Sequence, residues 1–219
     1  MTHRRGTGRR EDLVQAAMAI VRDSGFGAAS AKAVAARAGL SAETMSTYAT
    51  SFDDLLAEVF RRCAGVEMAA VDRAIAAAHS SDATDRLIAM IDTFATRALR
   101  AGRLAWALLA EPVSREIEVE RQAYRRGYVD MLTEIVVDGV RDGEFAAQDA
   151  RITAAGIVGA ISVALIGPLV PLTMEGDDPG AVIASITGLC LRAVGARTAS
   201  EPASDTASDL DGGTAPEAE

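Results

Sequence analysis

The chain has 219 residues and a formal charge of −9, with 49% hydrophobic and 4% aromatic residues. That length buries a substantial core, and the acidic balance excludes a protein that coats nucleic acid over its whole surface. Abundant Ala and Leu, with no persistent alternation of Val, Ile, Thr and Tyr, exclude a strand-built fold and point to an all-α protein. The charge is unevenly placed. Residues 1–51 carry seven basic groups against four acidic ones, and everything after them is net acidic, so only the first segment is suited to meet a polyanion.

In chain order, residues 1–10, with Arg4, Arg5, Arg9 and Arg10, read as a disordered basic arm. From Glu11, apolar Leu13, Ala16, Ala17, Ile20 and Val21 recur at helical spacing, and Gly25 supplies a stop. Ser30 is placed to cap a second helix that turns Val34, Ala35 and Ala38 inward; Gly39 ends it and Leu40 plugs the turn. Ser41 caps a short third helix through about Tyr48. Ser51 caps a long fourth one, whose first-turn Asp53 and Asp54 suit the helix dipole. Its apolar stripe runs through Leu55, Leu56, Val59, Cys63, Val66 and Ala70 towards His79.

Longer periodic segments follow at 85–100, at 104–110 with Pro112 as the stop, and at 114–142; Asp149 then caps an uncharged helix and a last one covers 181–196. Residues 198–219, polar and acidic, read as a disordered tail. The 23 residues from Ile152 to Met174 carry no charge and are long enough to span a bilayer. Pro168 and Pro171, a high Ala/Gly content, and the lack of a basic flank or aromatic belt favour a buried helix at a subunit interface over a membrane anchor.

Cys63 and Cys190 have neither disulfide nor metal-ligand spacing, and "MTHRRGTGRRED" is no signal peptide, so a cytoplasmic protein is expected. Two histidines, with no Cys/His cluster, nucleophile elbow or phosphate-cradling loop, propose no enzyme, cofactor or metal.

A DNA-reading helix-turn-helix needs a small residue where two helices cross, a glycine at the turn, an apolar lock, and short polar side chains opening the second helix. Ala35, Gly39, Leu40 and the run from Ala42 to Thr47 supply these, although the first three would also serve a plain helical hairpin. The wider stretch "EDLVQAAMAIVRDSGFGAASAKAVAARAGLSAETMSTYATSFDDLLAEVF" resembles the N-terminal domain of TetR-family transcriptional regulators. It carries an Ala-Ala pair, Gly25-Phe26, Ser30, the A-x3-G-L-S run, Tyr48 and D-L-L. The resemblance implies an all-α homodimer with an N-terminal three-helix helix-turn-helix domain and a C-terminal helical domain that binds a small effector, its last two helices pairing across the dimer. The expected divisions are 1–10, 11–51, 52–197 and 198–219.

By that resemblance Ala42, Glu43 and Thr47 approach base edges and Ser30, Lys32, Thr44, Ser46 and Tyr48 touch phosphates of double-stranded DNA; Arg4, Arg5, Arg9 and Arg10 are placed to enter the adjacent minor groove, as homeodomain arms do. The chain departs from the family at Ser46, Ala49 and Phe52, where an aromatic, a phenylalanine and a phosphate-gripping lysine are common. Loss of one such lysine lowers affinity and the salt slope by about one unit. The arm and backbone N–H groups at Ser30 and Ser51 offer compensation.

Further along, Met90, Phe94, Trp106, Leu109, Tyr124, Tyr128 and Met131 fall on inward faces of three consecutive helices, as lining of an apolar pocket or as ordinary core. Glu111, Arg121 and Arg125 are available to orient a polar ligand group or to pair on the surface. Ala155, Gly156, Gly159, Ala160 and Val163, with Val182, Ile183, Ile186, Leu189 and Cys190, suit an intersubunit four-helix bundle. The expectation is a repressor that leaves a pseudo-palindromic operator when a small apolar molecule binds. The alternative is a ligand-binding dimer of the same fold with weak or lost DNA binding.

Overall fold

The computed structural model describes residues 2–41, 43, 47, 51–78, 82–169 and 178–196. Ala42, Thr44, Ser46, Tyr48, Ala49, His79 and the acidic tail lie outside them. Among the described residues there are eight α-helices and no strand.

Helix α1 (Thr2–Ser24) begins earlier than the hydrophobic pattern indicates, so residues 2–10 continue the helix instead of forming a disordered arm. Arg10 pairs with Glu58, and Glu11 accepts from Arg62 at 2.6 Å and from Gln15 at 2.8 Å, tying residues 10 and 11 of α1 to a helix about fifty residues away. Beyond this network Leu13, Val14, Ala17 and Val21 are fully buried.

The hydrogen bonds from Arg62 and then Gln15 hold the Glu11 carboxyl down at about 2, and Arg10 with Arg62 lowers that of Glu58. A depressed folded-state pKa stabilises above the unfolded value of about 4.3. That contribution disappears as pH falls towards 2. With 46% of the Glu11 side chain exposed, screening limits each pair to about 0.2–1 kcal/mol. Glu11→Gln should therefore be mildly destabilising at pH 6 and neutral near pH 2, as read by urea denaturation at the two values.

Gly25 turns the chain at φ +86 into a single 3-10 turn, Phe26–Ala28. Helix α2 (Ala31–Arg37) starts where Ser30 Oγ accepts from the Ala33 N–H at 3.2 Å. It stops at Gly39, φ +68, where the Leu40 and Gly39 N–H groups donate back to Ala35 and Ala36 carbonyls at 2.9 and 3.1 Å. Leu40 packs against the core beneath, as the turn requires.

Helix α3 (Phe52–Ala77) is capped by Ser51, whose Oγ accepts from Asp54 N–H at 3.3 Å. Its buried line starts as read, at Leu55, Leu56, Val59 and Cys63, then moves round to Ala64 and Val71. Val66 is consequently 56% exposed, against expectation. The drift arises because α3 leaves one core and enters another.

The remaining helices are α4 (Ala83–Ala101), α5 (Arg103–Leu109), α6 (Arg115–Arg141), α7 (Ala150–Leu169) and α8 (Pro179–Ala193). A first core joins α1, α2 and the front half of α3 to Leu104, Ala107 and Leu108 of α5 and to Ile117. A second gathers Leu87, Ile91, Leu132, Ile135, Ile157 and Leu165 from α4, α6 and α7, with Ile186 and Cys190 of α8. Both α3 and α5 contribute to both cores, so packing is continuous across residues 51 and 52.

Asp149 caps α7 through Ile152 N–H at 3.0 Å. Among the described residues α7 is the one helix long and apolar enough to cross a membrane by length and composition. One face is buried within the chain through Ala154, Ile157, Ile161 and Leu165; the other leaves Ile152 and Val163 about 70% exposed with Ala155 and Gly156 between them. On α8, Leu189 is exposed, whereas Ile186 and Cys190 turn into the chain's own core, so those two are not on an outer face.

Candidate functional site

Of the residues expected to meet DNA, Arg9, Ser30, Lys32, Glu43 and Thr47 are exposed. Ser30 caps α2, and Arg10 is paired with Glu58 instead of standing free. The other four positions, Ala42, Thr44, Ser46 and Tyr48, lie outside the described residues. Phe52, where a lysine is common, packs its ring partly against the first core.

This basic end is joined to the rest of the molecule by a polar clamp. Glu111, just past α5 and only 5% exposed, accepts from the Phe26 and Gly27 N–H groups, each at 2.9 Å. Arg103, at the start of α5, donates to the Ser24 carbonyl at 2.8 Å and lies 3.9 Å from the Glu111 carboxylate. A side chain at Gly25 would meet the Glu111 oxygens at 2.5 and 2.8 Å, so both its positive φ and the closeness of the clamp require glycine there. Sequence spacing could not reveal this clamp, because its two halves are 84 and 85 residues apart.

Behind the clamp, α5 forms one wall of an apolar cavity that opens to solvent. Leu104, Ala105, Leu108 and Leu109 of α5 face Met90, Ile91 and Phe94 of α4, Tyr124 and Tyr128 of α6, and Ile161 of α7. Phe94 and Tyr128 meet edge to face with ring centres 5.2 Å apart. Burial pushes the Tyr128 hydroxyl well above its ordinary range, so it stays protonated.

Five of the seven expected lining residues, Met90, Phe94, Leu109, Tyr124 and Tyr128, are brought together here. Trp106 and Met131 are not. Trp106 packs against the second core without lining the cavity, under the Arg103 guanidinium at 4.5 Å. Met131 lies beyond Tyr128, the last α6 residue on the cavity wall. Sequence reading missed Phe60, Ala64, Glu67 and Val71 of α3, because a helix assigned to one core gives no sign that it also lines a space in the next.

Two of the three polar candidates serve the fold itself. Glu111 is the clamp, and Arg121 holds the end of α5, donating to the carbonyls of Leu108 at 2.9 Å, Glu111 at 2.8 Å and Ala107 at 3.3 Å, and to Glu118 at 2.7 Å. Neither thiol belongs to a metal-binding group: among the described residues no three His, Cys, Asp or Glu side chains converge, and burial raises the Cys63 and Cys190 pKa values.

Residues 80–164, which supply four of the cavity's five helices, match the family model of the tetracyclin repressor-like C-terminal domain. Three solved structures share the fold over 84–87% of the chain. FadR from Bacillus subtilis, in complex with stearoyl-CoA, is 19% identical with a TM-score of 0.69, the match covering 84% of this chain and 98% of that one. The fatty acid degradation regulator FadR from Bacillus halodurans is 19% identical, TM-score 0.68, covering 84% and 94%. A tetR-family regulatory protein from Rhodococcus RHA1 is 21% identical, TM-score 0.63, covering 87% and 98%. No curated protein matches the chain. The TetR resemblance read over residues 11–60 is thus joined by an independent match over residues 80–164.

Proposed function

We propose that the chain is a ligand-responsive DNA-binding transcriptional regulator, acting as a repressor that leaves a pseudo-palindromic operator when a small, largely apolar molecule fills the cavity. The observation that carries this reading is α5. One face of this short helix lines the cavity, and its two ends, Arg103 and Glu111, hold the turn between α1 and α2. A ligand that favours a different position of α5 would shift that turn, to the extent of its differential affinity for the two arrangements. The stearoyl-CoA complex of the Bacillus subtilis neighbour supports a chain-like apolar ligand.

The exposed faces of α7 and α8, with Ile152, Val163 and Leu189, support a homodimer built on these helices, an account of the charge-free run that needs no lipid. A cytoplasmic dimer of this kind divides into a DNA-reading part at 11–51 and an effector and dimerisation part at 52–197, with two recognition helices about 34–36 Å apart.

A second reading, a ligand-binding dimer with weak DNA affinity, is favoured by Phe52 at the position of a phosphate-gripping lysine. Fluorescence anisotropy on duplexes from around the protein's own coding region tests both. A working repressor binds at low salt and is released by ligand, and Phe52→Lys steepens the salt slope by about one unit. If the wild type shows no sequence preference while Phe52→Lys does, the second reading replaces the first.

A further inference from the structure

Arg125 is the polar candidate that the fold leaves unused. It lies one turn along α6 from Arg121, is half-buried, lines the same cavity, and has no hydrogen-bond or ion-pair partner among the described residues. The other charges on the wall are occupied. Glu67 takes Arg97 in a two-pronged pair at 2.5 and 3.1 Å, and Arg121 is committed to three carbonyls and Glu118. An otherwise apolar wall therefore carries excess positive charge at one side chain. Arg125 also stands close enough to Arg121 to add to the lowering of that residue's pKa, whose larger cause is burial.

A half-buried guanidinium without an acceptor costs free energy, and two neighbouring guanidiniums repel. One anionic group against Arg125 would relieve both. The planar fork of arginine matches a carboxylate or phosphate oxygen pair in a way an ammonium does not.

We propose that the cavity takes an amphipathic anion, its apolar body packed on Met90, Phe94, Tyr128 and Ile161 and its carboxylate or phosphate group on Arg125. This rests on the reading of the cavity as the effector site. It adds a charge requirement that the apolar lining alone would not impose.

Isothermal titration calorimetry on the full-length protein tests it with four ten-carbon probes below their micelle concentrations: decanoate, decyl phosphate, decanol and decyltrimethylammonium. At least one of the two acids should bind ten-fold or more tightly than decanol, and the cation more weakly than decanol. The tighter of the two acids identifies the source of the anion. Arg125→Gln should bring the acids down to the affinity of decanol without lowering the thermal midpoint, whereas Arg125→Lys should retain part of the preference. Equal affinity of the acids and decanol for the wild type, or a preference undiminished in Arg125→Gln, overturns the anion requirement while the cavity reading stands. Binding of none of the four probes overturns both.

Discussion

Arg121→Ala should cost about 3–5 kcal/mol of folding stability, the range for removing one member of a buried, hydrogen-bonded charge group. The residue is 9% exposed, and its guanidinium satisfies three carbonyls at the end of α5 besides the Glu118 carboxylate. The last carbonyls of a helix have no partners within it, and here three of them rely on this one side chain. Alanine also removes the side chain that spans from α6 to α5. Lysine is a poor substitute, because one ammonium cannot reproduce a fork that donates in three directions. Guanidinium denaturation of the two variants measures the effect, and a loss under about 1 kcal/mol for alanine would show that α5 holds its end without the arginine.

Glu111→Ala should cost about 2–4 kcal/mol, since two backbone N–H groups, one of them fully enclosed, would lose their only protein acceptor together with a charge-assisted bond. Glu111→Gln should fall between, because an amide retains one acceptor oxygen and presents an N–H to the other donor. The two substitutions bear on regulation as well as stability. If Glu111 transmits the position of α5 to the α1–α2 turn, Glu111→Gln should bind ligand as the wild type does and release DNA less completely, a reduced coupling between two intact sites. Titration of ligand binding and of ligand-driven DNA release on the same preparation separates these effects. Equal loss of both would make Glu111 a purely structural residue.

What the sequence disclosed and what it concealed divide along the range of the interactions. Ser30, Ser51 and Asp149 were legible as caps because a cap acts on the N–H two or three residues ahead. Gly39 and Leu40 were legible for the same reason. The inward faces of α4 and α6 were legible from period alone, which is how Met90, Phe94, Tyr124 and Tyr128 were found. Period does not say where along a buried face a space opens, so Met131 was included and Val71 omitted. Nor does it report ions. Arg10 and Glu11 of α1 are tied to Glu58 and Arg62, and the start of α4 to Glu144, whose carboxylate accepts from Ala83 and Thr84 N–H groups at 3.0 Å from sixty residues away. Glu111 and Arg121 were noticed as charged residues in an apolar region, but their roles as clamp and cap follow only from the tertiary fold.

The central claim, that the basic N-terminal segment reads DNA under control of the cavity, is tested most directly by selecting binding sites from random duplex DNA with the full-length protein at two salt concentrations, with and without a cavity ligand. One enriched pseudo-palindrome is expected, its half-sites about one helical turn apart, recovered at both salts with lower yield at the higher one and depleted by the ligand. Recovery of DNA without an enriched sequence, vanishing with salt and indifferent to the ligand, would contradict it.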